Sequence, residues 1–192
     1  LAYRLSIFAP AFYLRPDRRD KYDEFVDPLI RGFSQEDREN YLIGMMKMNY
    51  LKRLESSIAS FRISLSNTIK KIEDVENRID SYYKHMDDAA AYFTLDDMNP
   101  DKVSEELEEE DAWLVGKKIQ YHLSDLDLER WRADLALDKK ELLQLYEIAA
   151  GVLPEHDAKL LLLRELIKTK AENPTNNTNK KILVFSAFTD TA

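Results

Sequence analysis

Residues 34–86 read SQEDRENYLIGMMKMNYLKRLESSIASFRISLSNTIKKIEDVENRIDSYYKHM, and the spacing of the apolar side chains in this stretch decides the fold class. Tyr41, Met45, Met48, Leu51, Leu54, Ile58, Phe61, Leu65, Ile69, Ile72, Val75, Ile79 and Tyr82 recur three or four residues apart. That is the period of one helix face, held for about a dozen turns. Ser34, with an acid three residues on at Asp37, is a variant of the capping box and sets the start. No Gly or Pro interrupts the pattern after Gly44. Unbroken, such a helix would span on the order of 75 Å. Either it breaks near Ser66-Asn67 or it projects as half of an antiparallel coiled coil. The expected fold is mainly α, with long helices forming an antiparallel bundle or hairpin.

Opposite the apolar stripe, Asn49, Arg53, Ser56, Ser60, Ser64 and Asn67 recur at the same spacing. Small polar side chains let another backbone or a phosphodiester come close. This face is either a wet surface or a contact face for DNA or a neighbouring domain.

Residues 1–33 form an aromatic-rich segment broken by Pro10, Pro16 and Pro28. Short helices are expected over 2–9 and 25–31, with Tyr13-Leu14-Arg15-Pro16 extended because proline disfavours a helical residue before it. Residues 34–172 read as a helical domain carrying an acidic excursion over about 87–111, expected to be mobile. Within that excursion Ala89 to Phe93 would finish a helix. Ser124 or Asp125 would cap the next helix, with Leu128, Trp131, Leu135, Leu142, Leu145 and Ala149 on its inner face and Gly151 at its end. A further helix from Pro154-Glu155 would bury Leu160, Leu163, Leu166 and Ile167. Asn173-Pro174-Thr175-Asn176-Asn177 then reads as a linker. Ile182 to Phe185 is a short β-rich run of the kind covered on both faces, with Thr189 or Asp190 as a cap for a following helix. Residues 173–192 are therefore expected to be a linker and the first strand of a further domain.

Composition narrows the function classes. Cysteine is absent, so no disulfide or thiolate metal site exists. No apolar run approaches the roughly 18 residues of a membrane span, and no signal-peptide pattern opens the chain; a cytoplasmic location without membrane contact is expected. The net charge of −8 argues against nucleic-acid binding by the whole surface. The charge is uneven, however. Between Lys47 and Lys71 six basic residues face one acid, Glu55, whereas between Asp96 and Asp111 nine acids face only Lys102. Only the first stretch suits phosphate.

No constellation in the chain carries chemistry. Val115-Gly116-Lys117-Lys118 fails the phosphate-loop spacing at both ends. His156-Asp157 lacks the further histidines of a His-Asp metal site, since His85 and His122 lie in unlike contexts. The carboxylates at Glu105, Glu106, Glu108, Glu109 and Glu110 lack EF-hand spacing. Trp113 and Trp131 are candidates for base stacking, but Trp131 lies on the apolar stripe and reads as core.

Three segments carry a family resemblance. Asp157-Ala158-Lys159-Leu160, followed by the run from Lys180 through Ile182-Leu183-Val184-Phe185-Ser186-Ala187-Phe188-Thr189-Asp190, resembles the entry to the second RecA-like domain of superfamily-two helicases, in particular the Swi/Snf-like bacterial branch. Leu51-Lys52-Arg53-Leu54-Glu55-Ser56-Ser57, with Phe61 and Leu65, resembles the helical segment those proteins place between their two motor domains. Leu126-Asp127-Leu128-Glu129-Arg130-Trp131, with Asp134-Leu135, is a third match. The resemblance implies a fragment of an ATP-dependent DNA helicase or translocase, ending in the first strand of an incomplete α/β RecA-like domain and not catalytic alone. ATP and Mg²⁺ would belong to the parent protein, and the partners would be DNA and the missing motor domains. It places nucleic-acid contacts at Ser186, Phe188 and Thr189, where the turn after the strand nears the backbone, with Lys52 and Arg53 as secondary contacts that either meet DNA or brace the motor. The alternative is a helical protein–protein interaction module, a coiled-coil-like hairpin without enzymatic role.

Overall fold

A computed structural model describes residues 4–23, 34–85, 92–94, 120–174, 176, 179–185 and 188. The described chain is mainly helical: α1 (Arg19–Asp23), α2 (Gln35–Ser56), α3 (Ile58–His85), α4 (Leu128–Ala150) and α5 (Ala158–Glu172). Two three-residue strands, β1 (Tyr92–Thr94) and β2 (Gln120–His122), pair antiparallel with Phe93 opposite Tyr121. Tyr92 and Phe93 thus lie in a strand rather than finishing a helix.

The expected break in the long helix exists, but at Ser57 rather than Ser66-Asn67. Ser57 is extended (φ −159°, ψ 150°) and serves both helices. Its N–H donates to the Arg53 carbonyl (2.9 Å) and closes α2. Its hydroxyl accepts from the Ser60 N–H (3.0 Å) and opens α3. A serine that satisfies both ends allows the break without Gly or Pro. The chain then folds back, bringing Tyr50 of α2 to Thr68 of α3, with their hydroxyl oxygens 2.5 Å apart.

This fold-back corrects the reading of both helix faces. In α3 the apolar stripe is buried as predicted, at Leu65, Ile69, Ile72, Val75 and Ile79. In α2 the same stripe faces outward: Tyr41, Met48, Leu51 and Leu54 are exposed. The inward positions of α2 are Gln35, Glu39, Met46, Tyr50 and Arg53, since the break at Ser57 resets the phase. Ser60 and Ser64, read as a wet surface or as a contact face for DNA or a neighbouring domain, are buried with Thr68 in the packing of the chain's own helices. The Ser64 and Thr68 hydroxyls bond back to the carbonyls four residues earlier, so their burial leaves no donor unmet.

The N-terminal segment is built of three short 3₁₀ turns, at Ser6–Phe8, Pro10–Tyr13 and Pro16–Arg18, where one helix over 2–9 was expected. Pro10 and Pro16 each start a turn, where a missing N–H costs nothing. Leu14 and Arg15 are extended, as the following proline dictates. The expected helix over 25–31 falls outside the described residues. The segment shares one core with the long helices, in which Leu5, Ile7, Phe8 and Tyr13 join Tyr50, Ile72, Trp131 and Leu135. Trp131 is fully buried and donates from its indole N–H to the Ser6 carbonyl at 3.0 Å.

The remaining caps and apolar runs follow their patterns only in part. Ser34 and Asp37 form the reciprocal capping box. Asp127, not Ser124 or Asp125, caps α4, because Leu123–Asp125 coils into its own 3₁₀ turn. The inner face of α4 is as predicted at Leu128, Trp131, Leu135, Leu142 and Ala149, and Gly151 follows its last turn. By contrast α5 buries nothing: Leu160, Leu166 and Ile167 are exposed. Ile182 to Phe185 is not a strand, and Phe185 is 91% exposed. Both corrections have one cause: among the described residues no neighbour covers these apolar groups.

Three buried carboxylates tie the segments together. Asp138 of α4 accepts from the Arg4 N–H (2.7 Å), the Ser6 N–H (2.6 Å) and the Ser6 hydroxyl (2.6 Å). Asp125 accepts from Lys21 (2.8 Å) and Tyr22 (2.7 Å). Glu39 of α2 accepts from the Ala11 N–H (2.7 Å), Gln35 (3.0 Å) and the Tyr121 hydroxyl (2.5 Å). Complete burial pushes the Glu39 carboxyl up to about 8, against these three donors and the nearby Arg38 charge. For Asp125, burial pushes the carboxyl up, but Lys21, Tyr22 and Arg18 outweigh it and the net direction is down.

The signs give a pH test. Between 4.5 and about 8 the folded chain holds a Glu39 proton that the unfolded chain releases, so this contribution is lost as pH rises. Unfolding free energy should fall between pH 5 and pH 8, and Glu39→Gln should flatten that slope in urea titrations. Asp125 acts oppositely, losing its contribution as pH falls below the ordinary carboxylate range. Asp138→Ala should destabilise by about 3 kcal/mol, since it strands buried donors on the Arg4–Ser6 strap. A midpoint shift of a few tenths of a kcal/mol would show that the strap is held by its apolar side chains alone.

Candidate functional site

Two of the three segments carrying the resemblance, far apart in sequence, meet where α2 ends. The last carbonyls of a helix have no partner within it. Here Lys159, in the first turn of α5, reaches across to them: its ammonium donates to the carbonyls of Glu55 (2.5 Å) and Ser56 (3.1 Å). A cation at this end also complements the helix dipole. Asp157 fixes the lysine's own helix by accepting from the Lys159 and Leu160 N–H groups, at 3.1 and 3.0 Å.

Arg53 lies beside this contact. It is buried, and its guanidinium donates to the Ser60 hydroxyl at 3.1 Å. Its plane stands over the Phe188 ring, 4.6 Å from the centroid. Phe188 is buried there, although the run before it is largely exposed. A desolvated cation on an aromatic face contributes about 1–2 kcal/mol. The tail is thus pinned at Phe188 to the turn between α2 and α3.

The five sequence-derived contact residues divide accordingly. Arg53 and Phe188 are brought together, each covered by the other. Lys52 is exposed next to them. Ser186 and Thr189 lie outside the described residues. The arrangement missed by sequence reasoning is the role of Lys159 and Ser60. No local pattern signals the lysine, which bonds to carbonyls more than a hundred residues away, whereas Ser60 shares with Arg53 the polar stripe visible in the sequence.

No reaction centre is assembled among the described residues. His122 Nδ1 and the Ser124 hydroxyl are 2.5 Å apart, and Ser124 reaches Asp125 at 3.5 Å. In a nucleophile–base–acid relay the acid orients the imidazole. Here the acid touches the serine, and the imidazole Nδ1 accepts the Ser124 N–H as a helix cap. No group of three or more His, Asp or Glu positioned for a metal occurs among the described residues. No helix there is long and apolar enough to cross a membrane.

Comparison of the chain with known protein families, with curated proteins and with solved structures finds no match.

Arg53→Ala should free the tail without unfolding the helices. Protease cleavage near Phe185 should accelerate several-fold, while the circular-dichroism melting curve moves little. Unchanged cleavage would mean that Phe188 is held by apolar contact alone.

Proposed function

We propose that this chain is the helical connector of an ATP-dependent DNA helicase or translocase, with α2 and α3 as an antiparallel helical hairpin that braces the entry to the second RecA-like motor domain. The observation that carries the reading is the junction at the end of α2. The segments resembling the inter-motor helix (Leu51 to Ser57) and the second-domain entry (Asp157 to Leu160, and Phe188) are in contact through Lys159 and Arg53. A lever that must transmit a domain movement needs such a fixed attachment. The exposed apolar run Ile182 to Phe185 and the leucine-rich face of α5 suit burial against the remainder of a RecA-like domain, where a parallel strand is covered on both faces. In this reading Arg53 positions the tail, and Lys52, exposed beside it, is the residue free to meet a phosphate. ATP and Mg²⁺ would be held by the motor domains, not by this chain.

A second reading, a helical protein–protein interaction module, is favoured by one feature: the exposed leucines of α5. Apolar surface of this kind marks a docking face.

The test is ATP turnover by a polypeptide joining this chain to both motor domains, with and without duplex DNA. Strong stimulation is expected, and Arg53→Ala should reduce it by about tenfold while leaving DNA-free turnover unchanged, the signature of lost coupling, equivalent to 1.4 kcal/mol. The chain alone should hydrolyse no ATP. Absence of turnover in the joined polypeptide, together with concentration-dependent self-association of the chain, would replace the motor reading with the interaction module.

A further inference from the structure

A groove remote from this junction has a chemistry of its own. The extended stretch at Leu14 and Arg15, the last turns of α3 and the first turn of α4 line an open groove of about 730 Å³. Its floor includes the buried Leu14, Leu123 and Leu128. Its walls include Phe12, Tyr82 and Tyr83, with Tyr83 52% exposed. Its rim carries three arginines, Arg15, Arg19 and Arg130. Arg130 is held in place, its guanidinium 4.5 Å from the Phe12 centroid and 5.7 Å from that of Tyr13.

Two acids also line the groove. Asp127 is occupied as the cap of α4, accepting from the Arg130 N–H at 3.1 Å, and Glu129 is exposed. The arginines outnumber the acids. A chain of net charge −8 that gathers arginines and accessible tyrosine rings around one apolar floor presents two complementary surfaces. Flat rings offer a stacking platform, and guanidinium groups match phosphate oxygens in a fork.

We propose that this groove binds a nucleoside phosphate, with the base stacked on Tyr83 and the phosphate held by Arg15 and Arg19. The same chemistry is offered by a free nucleotide and by one unit of a single strand. The site is independent of the motor reading, because it involves none of Lys52, Arg53, Lys159 or Phe188 and requires no ATP turnover.

The experiment uses the full chain, a fluorescein-labelled thymidine oligonucleotide of about ten nucleotides, within the span of strand-binding grooves, and AMP and inorganic phosphate as competitors. Binding is expected, with Tyr83→Ala and the double variant Arg15→Ala/Arg19→Ala each weakening it by about tenfold and Lys168→Ala on α5 leaving it unchanged. These groove side chains are surface groups, and circular dichroism verifies that the variants fold. Displacement by AMP at low concentration would identify a mononucleotide site; binding that resists AMP would identify a single-strand site. The proposal is overturned by no binding of either probe, by binding that the groove variants do not change, or by inorganic phosphate competing as well as AMP.

Discussion

The Asp138 carboxylate is the constraint from which the rest of the architecture follows. It sits on the inner face of α4, buried, with hydrogen bonds from the Arg4 and Ser6 N–H groups and the Ser6 hydroxyl. A carboxylate there without donors would be costly, so the N-terminal strap must be in place whenever α4 is packed. The strap pays a local strain in return: Leu5, between the two bonded residues, adopts a left-handed conformation (φ 57°) that costs about 1 kcal/mol for a side chain with a Cβ. With Leu5 and Ser6 fixed, Trp131 gains its indole acceptor and Tyr13 is aligned to donate to Asp134 at 2.8 Å. The strap then runs alongside the entry to α4, where Leu14 bridges Leu126, and so forms one wall of the arginine-rimmed groove.

The same principle repeats at Glu39 and Asp125. Each lies far in sequence from at least one of its donors, and each joins segments that are separate in the chain. The 3₁₀ turns of the strap bury aromatic rings, but they contain few backbone hydrogen bonds of their own. Buried acids supply orientation that ring burial cannot, since hydrogen bonds have direction and apolar contact does not. These acids are thus structural groups, their oxygens held by donors from distant parts of the chain.

What was legible in the sequence is what depends on local periodicity. The buried face of α3 and of α4, the Ser34 cap and the extended residues before Pro16 all follow from spacing and from proline sterics. Ser57 escaped notice because a break without Gly or Pro leaves the apolar spacing intact across it, while the helix on one side rotates out of phase. Ser60 and Ser64 were misread for a related reason: a serine that bonds back to its own helix is as compatible with burial as with water, and only the packing partner decides. The leucines of α5 form a helical pattern, but a pattern specifies a face to be covered without supplying the cover. Of the junction, the residue types at Arg53 and Phe188 were legible as noteworthy; their mutual contact was not, because it spans more than a hundred residues.

The junction and the uncovered apolar surfaces belong to one argument. Lys159 and Arg53 spend cationic groups on holding α5 and the tail against the end of α2, in a region where the side chains beyond them are left exposed. Among the described residues, α5 buries no side chain fully and the tail has one buried ring, Phe188. They become useful if the exposed faces engage something larger, for then the few fixed contacts transmit its position directly into α2 and α3. In hinge movements a few element-terminal residues absorb the backbone change between bodies that move as units. Under the connector reading proposed above, this charged, hydrogen-bonded anchor beside unburied apolar groups would let Arg53 position the body that the leucines of α5 meet.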